Sequence, residues 1–500
     1  MSEKTPRPKN VKIKNNYLNR FIIMTLLLFS LLLIVCVLLL HVLPVKYCIA
    51  LFVGITLINI IVFLLLKKKK RRKKRKVAIL ITRIVATLLS IVMLFASLLV
   101  YDSYLTIRNV SGADKKTISL SVIVLSKSTA NKLNDLKTGT FGLRGVIDLD
   151  NTDYAVAEIN DHLNTTVSTT AYNDFNAMLE ALYDGDVDAI VLNENYRTLI
   201  EETDSDFDTK TKVISQIQRK VALDSGITSD ASLTDSTFNI LISGIDTYGD
   251  IDTGGRSDVN MLVTVNPATK EILLTSIPRD FYVPLYGNAK MYDKLTHSGL
   301  YGIDCTTQTV ASLLDTKIDY YIRVNFSSVI DIVDALGGIQ VNSLYNFSID
   351  KYTFKKGTQN LSGEAALMFA RCRKDLPNGD RDRIKDQQLV MRGIIDQLLS
   401  PSIIFNYTSF MNAISGTFET NLSAAQISSL IQMQLTDMSD WTITQQYLNG
   451  SDAHKTTYTY SDELLYVMVP YQNTTENAAK AVETMFSSDN VTQTKTTDSK

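Results

Sequence analysis

Three long apolar runs open the chain. Phe21 to Leu43 is interrupted by little beyond Ser30 and His41, Cys48 to Leu66 follows, and Val77 to Tyr101 is the third. A helix rises about 1.5 Å per residue, so about 20 apolar residues cross the roughly 30 Å of a bilayer's hydrocarbon. The pattern therefore predicts three transmembrane helices over residues 21–102. Arg83 lies near one end of the third and is expected to snorkel towards the interface. No small-residue cleavage site follows the first run, which therefore reads as a span rather than a signal peptide.

Beyond Tyr101 the apolar residues fall into short strand-like runs alternating with helical periodicity, the signature of α/β units. Residues 103–225 form a first module. ISLSVIVLS (118–126) and VDAIVLNE (187–194) read as buried strands, and DYAVAEINDHLN and DFNAMLEALYDG as amphipathic helices. It holds no nucleophile with a base and no phosphate loop, so it reads as a small α/β accessory domain with a structural or partner-binding role. The polar stretch SGITSDASLTDST (225–237) is the expected linker.

A second, larger α/β module covers residues 238–475. FNILISGID is its first strand, and VNMLVTVN and ILLTSIP are two more, joined by the Pro-containing turn NPATKE. CTTQTVASLLD (305–315) and SSVIDIVDALGG (327–338) are helical, the second closed by Gly-Gly, and YYIRVN between them is a strand. Residues 363–400 are mainly helical, with a break near Pro377–Gly379. Residues 476–500 are polar and are expected to form a loosely ordered tail.

Charge sharpens this division. The net charge of −1 conceals a head, up to Asp102, with 18 Lys/Arg against 2 acids, and a remainder with 33 against 50. Lys4, Arg7, Lys9, Lys12, Lys14 and Arg20 precede the first run, KKKKRRKKRK (67–76) separates the second and third, and only Lys46 follows the first. The positive-inside rule then makes residues 1–20 and the loop 67–76 cytoplasmic, and everything after Asp102 extracellular. The basic loop is also suited to anionic lipid or a cytoplasmic partner. The cytoplasmic segments leave no room for a folded DNA reader. Cys305 and Cys372 lie in the outer part, where a disulfide is permitted but not implied by their number.

The candidate chemistry is a cluster of Arg and Asp at strand ends. Folding VNMLVTVN against ILLTSIP about the turn near Ala268–Thr269 brings residue 258 opposite residue 279. Asp258 and Arg279 then meet, Arg256 and Asp280 lie alongside, and Asp246 ends the neighbouring strand, where open α/β sheets place ligands. A second set lies in RCRKDLPNGDRDRIKDQ (371–387). Arg371 and Arg373 share one side if that segment is extended, and Arg383 and Gln387 share one face of a helix. Guanidinium suits bidentate phosphate binding, and paired carboxylates suit Mg²⁺ beside phosphate oxygens. Together they predict a diphosphate-plus-metal site, against the plainer reading of surface ion pairs worth about 0–1 kcal/mol each. No G-x-S-x-G, P-loop or H-E-x-x-H is present. His297, in KLTHSGLYG, is the one histidine near the cluster and reads as structural.

LISGIDTYGD, GRSDVNMLVTVNPATKEILLTSIPRDFYV, YIRVNFSSVIDIVDALGGIQV and LSGEAALMFARCRKDLPNGDRDRIKDQQ resemble the LytR-CpsA-Psr (LCP) family in order and spacing, over roughly 238–400. The three-span head and first module resemble its capsule-associated subgroup called CpsA or Wzg, found in streptococci. The resemblance implies an α-β-α layered LCP domain that moves a capsular or related glycopolymer from a polyprenyl-diphosphate carrier to a peptidoglycan hydroxyl and releases polyprenyl phosphate. It implies Asp246 and Asp258 as ligands of Mg²⁺, with Mn²⁺ as the alternative. Arg256, Arg279, Arg371, Arg373, Arg383 and Gln387 would hold the diphosphate, and Asp280 and Asp380 would orient the arginines. Asp246, Asp258, Arg279 and Arg373 are the expected catalytic set, with Asp246 or Asp258 as the base. The lipid tail would enter an apolar tunnel under the sheet. A membrane-bound regulator of capsule synthesis and a diphosphatase releasing free polymer phosphate are the alternatives. On the transferase reading, Arg279→Ala and Arg373→Ala are both expected to leave the fold intact and abolish attachment.

Overall fold

In the computed structural model the described residues are 10–40, 43–67, 73–110, 115–145, 147–222, 233–247, 255–287, 291–414, 418–460 and 463–497. Residues 68–72 of the basic loop, 225–232 of the expected linker and 248–254 of the cluster's approach lie outside them. The chain divides into two compact units. One comprises Met1–Val110, Leu399–Asn412 and Ala424–Met438; the other comprises Ser111–Leu398, Ala413–Ser423 and Ser439–Lys500.

The first unit contains three long helices, α1 (Asn10–Leu40), α2 (Val45–Lys67) and α3 (Lys73–Val110). Within them Tyr17–Leu39, Val45–Lys67 and Val77–Asp102 are long and apolar enough to cross a membrane. Leu26, Ile55, Val62, Ala86 and Met93 are buried between the helices, while Leu28, Ile61 and Val92 face outwards and are more than half exposed, as a lipid-facing surface requires. Polar groups pair inside the bundle. Asn59 Nδ2 donates to Ser30 Oγ at 3.0 Å, and Ser30 Oγ to Met93 Sδ at 3.1 Å. Arg83 Nε donates to Asn19 Oδ1 at 2.9 Å, on a neighbouring helix and near the end of its apolar span.

This unit also holds two helices from late in the chain, Ile403–Ile414 and Ala424–Asp437. Gln432 Nε2 donates to the Leu43 carbonyl at 3.3 Å, and Lys46 Nζ donates to that of Thr436. The continuous 238–475 domain expected from the sequence is therefore interrupted.

The second unit contains two separate main sheets. The first consists of β1 (Lys115–Leu125), β2 (Thr140–Arg144), β3 (Ser168–Tyr172), β4 (Ala189–Asn193) and β5 (Thr211–Ala222), in the order β3-β2-β4-β1-β5. Strands β3, β2 and β4 are parallel, and β1 is antiparallel to β4 and β5. Alternation along β1 sends Ile118, Leu120, Val122 and Val124 to one face, where α4 (Leu149–Leu163) packs through Ala155 and Ile159. Ile123 faces the other side with Phe175, Met178 and Leu182 of α5 (Phe175–Asp184).

The second sheet runs Phe418–Thr420, Tyr320–Val324, β6 (Phe238–Ile245), β7 (Ser257–Asn266), β8 (Glu271–Ile277) and Thr442–Tyr447. One face buries Leu241, Leu262, Leu273 and Tyr321 beneath Val310 of the helix Ile303–Leu313 and Ala478 and Val482 of the helix Gln472–Thr497. The expected loose tail is thus a helix: Ala478, Val482, Met485 and Phe486 recur at helical spacing and pack on this core. On the side of Ile242 and Met261 lie the helices Phe326–Ala335, Gly363–Arg371 and Asp380–Leu399, separated from the sheet by a cavity. The first two touch through Gly363, where a Cβ would meet the Ile330 carbonyl oxygen at 2.3 Å.

Candidate active site

Strands β7 and β8 pair with Asn260 opposite Ile277, so the register extends to Asp258 and Arg279 at the open end. Arg279 Nη1 donates to Asp258 Oδ2 at 2.5 Å, the pairing expected from hairpin symmetry. On the other side of β7, the β6–β7 register shifts at Gly244/Ile245, and Arg256 Nη2 donates to Asp246 Oδ2 at 2.7 Å. Thr296 Oγ1 donates to Asp258 Oδ1 at 2.9 Å, and Thr296 N to the Arg279 carbonyl at 2.8 Å. Thr296 lies in the 3₁₀ segment Leu295–Tyr301. A glycine holds this segment against β7: a Cβ on Gly299 would meet Gly255 O at 2.5 Å and Ser257 N at 2.6 Å.

All eight residues expected to touch metal or diphosphate line one cavity of about 790 Å³: Asp246, Arg256, Asp258, Arg279, Arg371, Arg373, Arg383 and Gln387. They come from the ends of β6, β7 and β8 and from the segment 371–387. Arg383 and Gln387 share a helix face as expected, with Gln387 Nε2 donating to the Ala370 carbonyl at 3.5 Å. Arg371 and Arg373 do not lie on one extended segment. Arg371 ends the helix Gly363–Arg371, held in place by its buried Ala365, Ala366 and Phe369, and the chain leaves helical geometry only at Cys372. The Arg371 guanidinium lies 4.4 Å from the centre of the Phe326 ring.

Asp280 and Asp380 stand outside the cavity lining. Asp380 Oδ1 is 2.6 Å from Arg383 Nη2, so it pairs with one of the cluster's arginines. Asp280 is 3.7 Å from Arg279 Nε but accepts from Lys294 Nζ at 3.0 Å, so its closer partner is the lysine. Sequence reasoning missed Lys294 and Thr296, and also Asp350, Lys374 and Asp375 of the lining. Of these, Thr296 was within reach, since it neighbours His297 in a segment already noted. Cys305 and Cys372 are both buried free thiols.

The electrostatics favour an anion. Six cationic side chains and four carboxylates line the cavity. Burial pushes the Asp258 carboxyl up, but Arg279, Arg256 and Arg383 together with the Thr296 hydroxyl hold it below its ordinary value. Burial opposes the charge of Arg279, but Asp258, Asp280 and Asp380 outweigh it and raise the value. Arg383 goes the other way: burial is the largest influence, Asp380 only partly offsets it, and the nearby Arg279 adds to the lowering. A phosphate oxygen beside Arg383 would relieve that deficit. Arg279 Nε and Arg383 Nε are buried without a hydrogen-bond partner among the described residues. Arg373 is exposed and has no ion-pair partner among them.

Away from this rim the lining is apolar: Ile242, Met261 and Val324 from the sheet, and Val329, Leu367, Val390, Met391 and Ile394 from the helices. One cavity therefore joins a guanidinium-rich mouth to an apolar interior. Asp246 Oδ1 is buried and has no hydrogen-bond partner among the described residues, and no group of three or more His, Cys, Asp or Glu side chains able to hold a metal occurs among them. Two carboxylates, one with an oxygen that has no partner among the described residues, are donors of the kind Mg²⁺ takes beside water and phosphate oxygens.

The LytR_cpsA_psr family profile matches residues 194–480, more than half of the chain. The chain belongs to the LytR_cpsA_psr family. It is 42% identical over 188 residues to the polyisoprenyl-teichoic acid–peptidoglycan teichoic acid transferase TagU of Bacillus licheniformis, a match covering 37% of this chain and 60% of that protein. TagU of Bacillus mycoides is 32% identical over 268 residues, covering 53% and 85%. The crystal structure of B. subtilis TagV matches with 30% identity and a TM-score of 0.44, over 51% of this chain and 98% of that one. The chain thus spans about 60% of the length of the curated relative with 42% identity.

Proposed function

We propose that this protein is a phosphotransferase that moves a glycopolymer from a polyprenyl-diphosphate carrier to peptidoglycan and releases polyprenyl phosphate. One observation carries the reading: in a chain of this family, arginine cations and an apolar interior belong to a single cavity. A diphosphate ester of a long isoprenoid needs both, in that order. The apolar wall would take the lipid chain, gaining about 25 cal/mol for each Å² of apolar surface it removes from water. Arg279, Arg371, Arg373 and Arg383 would hold the phosphate oxygens and neutralise the charge that develops when the diphosphate bridge breaks. Asp246 and Asp258 would hold Mg²⁺, which supplies further neutralisation of the phosphate oxygens when bound. Arg256 pairs with Asp246 and Arg279 with Asp258 at the rim. Burial pushes the Asp258 carboxyl up, but Arg279 and Arg256 hold it below its ordinary value.

The three apolar helices fit a membrane anchor, and the charge asymmetry favours a domain outside the cell, where peptidoglycan lies. The relatives act on teichoic acid by name. The subgroup resemblance favours a capsular polymer for this chain.

Arg373→Ala is the cleanest test, because Arg373 is exposed and makes no ion pair among the described residues. The variant is expected to melt at the wild-type temperature and to lose wall attachment of polymer by about 10²–10³-fold, the loss typical of removing one transition-state charge donor. Attachment at the wild-type level would contradict the reading. Free polymer phosphate as the sole wild-type product would favour a diphosphatase instead.

A further inference from the structure

A second, smaller pocket of about 150 Å³ shares Arg256 and Arg279 with the large cavity but none of its apolar lining. Apart from Leu465 its other lining is polar and includes Lys294, Thr296 and His297, and Thr203 of the accessory module reaches it. At ~30 Å³ per water it has room for a hydroxyl-bearing group in place of a few waters. His297 is buried within this wall. Its Nδ1 lies 2.6 Å from Asp293 Oδ1. Asp293 is fully buried and is itself fixed: its Oδ2 accepts from the Thr459 backbone N–H at 2.8 Å and from Thr459 Oγ1 at 2.5 Å. A carboxylate on Nδ1 makes that nitrogen the donor, leaving a lone pair on Nε2. Nε2 has no hydrogen-bond partner among the described residues, and it is not sealed from solvent. This is more than a satisfied core histidine needs.

We infer that the small pocket receives the acceptor hydroxyl and that His297, oriented by Asp293, is the base that takes its proton. The inference rests on the transfer reading of the large cavity and extends it to the acceptor side. The donor's lipid occupies the apolar interior, so its leaving phosphate departs in that direction, and an in-line nucleophile must come from the opposite side of the arginine pair. Asp258 is poorly suited as the base, because both of its oxygens already accept, from Arg279 and from Thr296, and Asp246 is paired with Arg256. The step balances. The acceptor oxygen bonds to the sugar-linked phosphorus as its proton passes to His297 Nε2. The bridging P–O bond breaks, and its electron pair leaves with the polyprenyl phosphate. The proton then returns to solvent. Around the ring stand Arg256 and Arg279 on the donor side, the Asp280–Lys294 pair, and Tyr460 and Glu463 from the late segment, with Asp293 behind. Tyr460 Oη also donates to the Leu199 carbonyl at 3.2 Å, so the accessory module is tied to the pocket's wall.

His297→Asn tests this in the full-length chain, because an asparagine amide can still donate to Asp293 while the Nε2 lone pair is lost. Transfer is measured with a polyprenyl-diphosphate glycan as donor and peptidoglycan as acceptor. The expected result is a fall in kcat of about 10²-fold or more, with donor KM, donor binding and melting temperature unchanged. A kcat within threefold of wild type overturns the base assignment and leaves the transfer reading standing. Lost donor binding or a lowered melting temperature also overturns it, making the ring structural. A wild-type chain that binds donor but transfers nothing removes both proposals.

Discussion

At the residue scale, the ion pairs at the cavity mouth are not interchangeable. Arg373 stands at the surface, whereas Arg279 and Asp258 neutralise one another in a largely enclosed site. Removing one partner of such a pair leaves an uncompensated charge, which costs about 3–5 kcal/mol when the site is fully buried. The expectation that Arg279→Ala leaves the fold intact is therefore revised: that variant loses stability together with function, and Arg373→Ala isolates function. Asp386, by contrast, has no such partner among the described residues. It is fully buried on the helix Asp380–Leu399, and neither carboxylate oxygen has a hydrogen-bond partner among the described residues. Burial and then Asp382 push its carboxyl up to about 7. With the folded value above the ordinary ~3.9, its contribution is fully present below about pH 4 and is lost as pH rises through 7. Wild-type stability should fall between pH 5 and 7 by up to about 1.4 kcal/mol per pH unit from this group. Asp386→Asn should flatten that slope and melt higher than wild type at pH 8; parallel melting curves across the range would contradict the assignment.

At the scale of elements, the outcome depended on how local each signal was. The β7–β8 hairpin and its Asp258–Arg279 pair were legible because symmetry about a short turn sets the register. The helices holding Gln387 and Val333 were legible from periodicity and from their Pro and Gly punctuation. The C-terminal helix was not, because its few apolar residues sit among many polar ones and only packing reveals the stripe. The helices Ile403–Ile414 and Ala424–Asp437 were missed since composition alone did not separate them from the domain around them. The apolar interior could not be assigned because its residues come from three helices and three strands far apart in sequence. The angle of those helices depends on close contact at Gly363, where an added methyl would collide with Ile330 backbone. Gly363→Ala should cost about 1–3 kcal/mol through overpacking, read as a lower melting temperature of the full chain. An unchanged temperature would show that the two helices separate freely.

At the scale of the whole molecule, function joins segments that the sequence presents as separate. The body carries more acids than bases, yet six of its cationic side chains line one cavity beside four carboxylates, so the charge there differs in sign from that of the body. The accessory module, which showed no chemistry of its own in the sequence, contributes to the wall of the small pocket through Thr203. The central claim is that one cavity delivers a lipid-borne phosphoglycan to the wall. The most direct test is to incubate the purified full-length chain with a defined polyprenyl-diphosphate glycan, peptidoglycan and Mg²⁺, and to follow both products by mass spectrometry. The account predicts one polyprenyl monophosphate released for each glycan that becomes covalently joined to peptidoglycan through a phosphodiester. Release of lipid phosphate with all of the glycan left free in solution would contradict it.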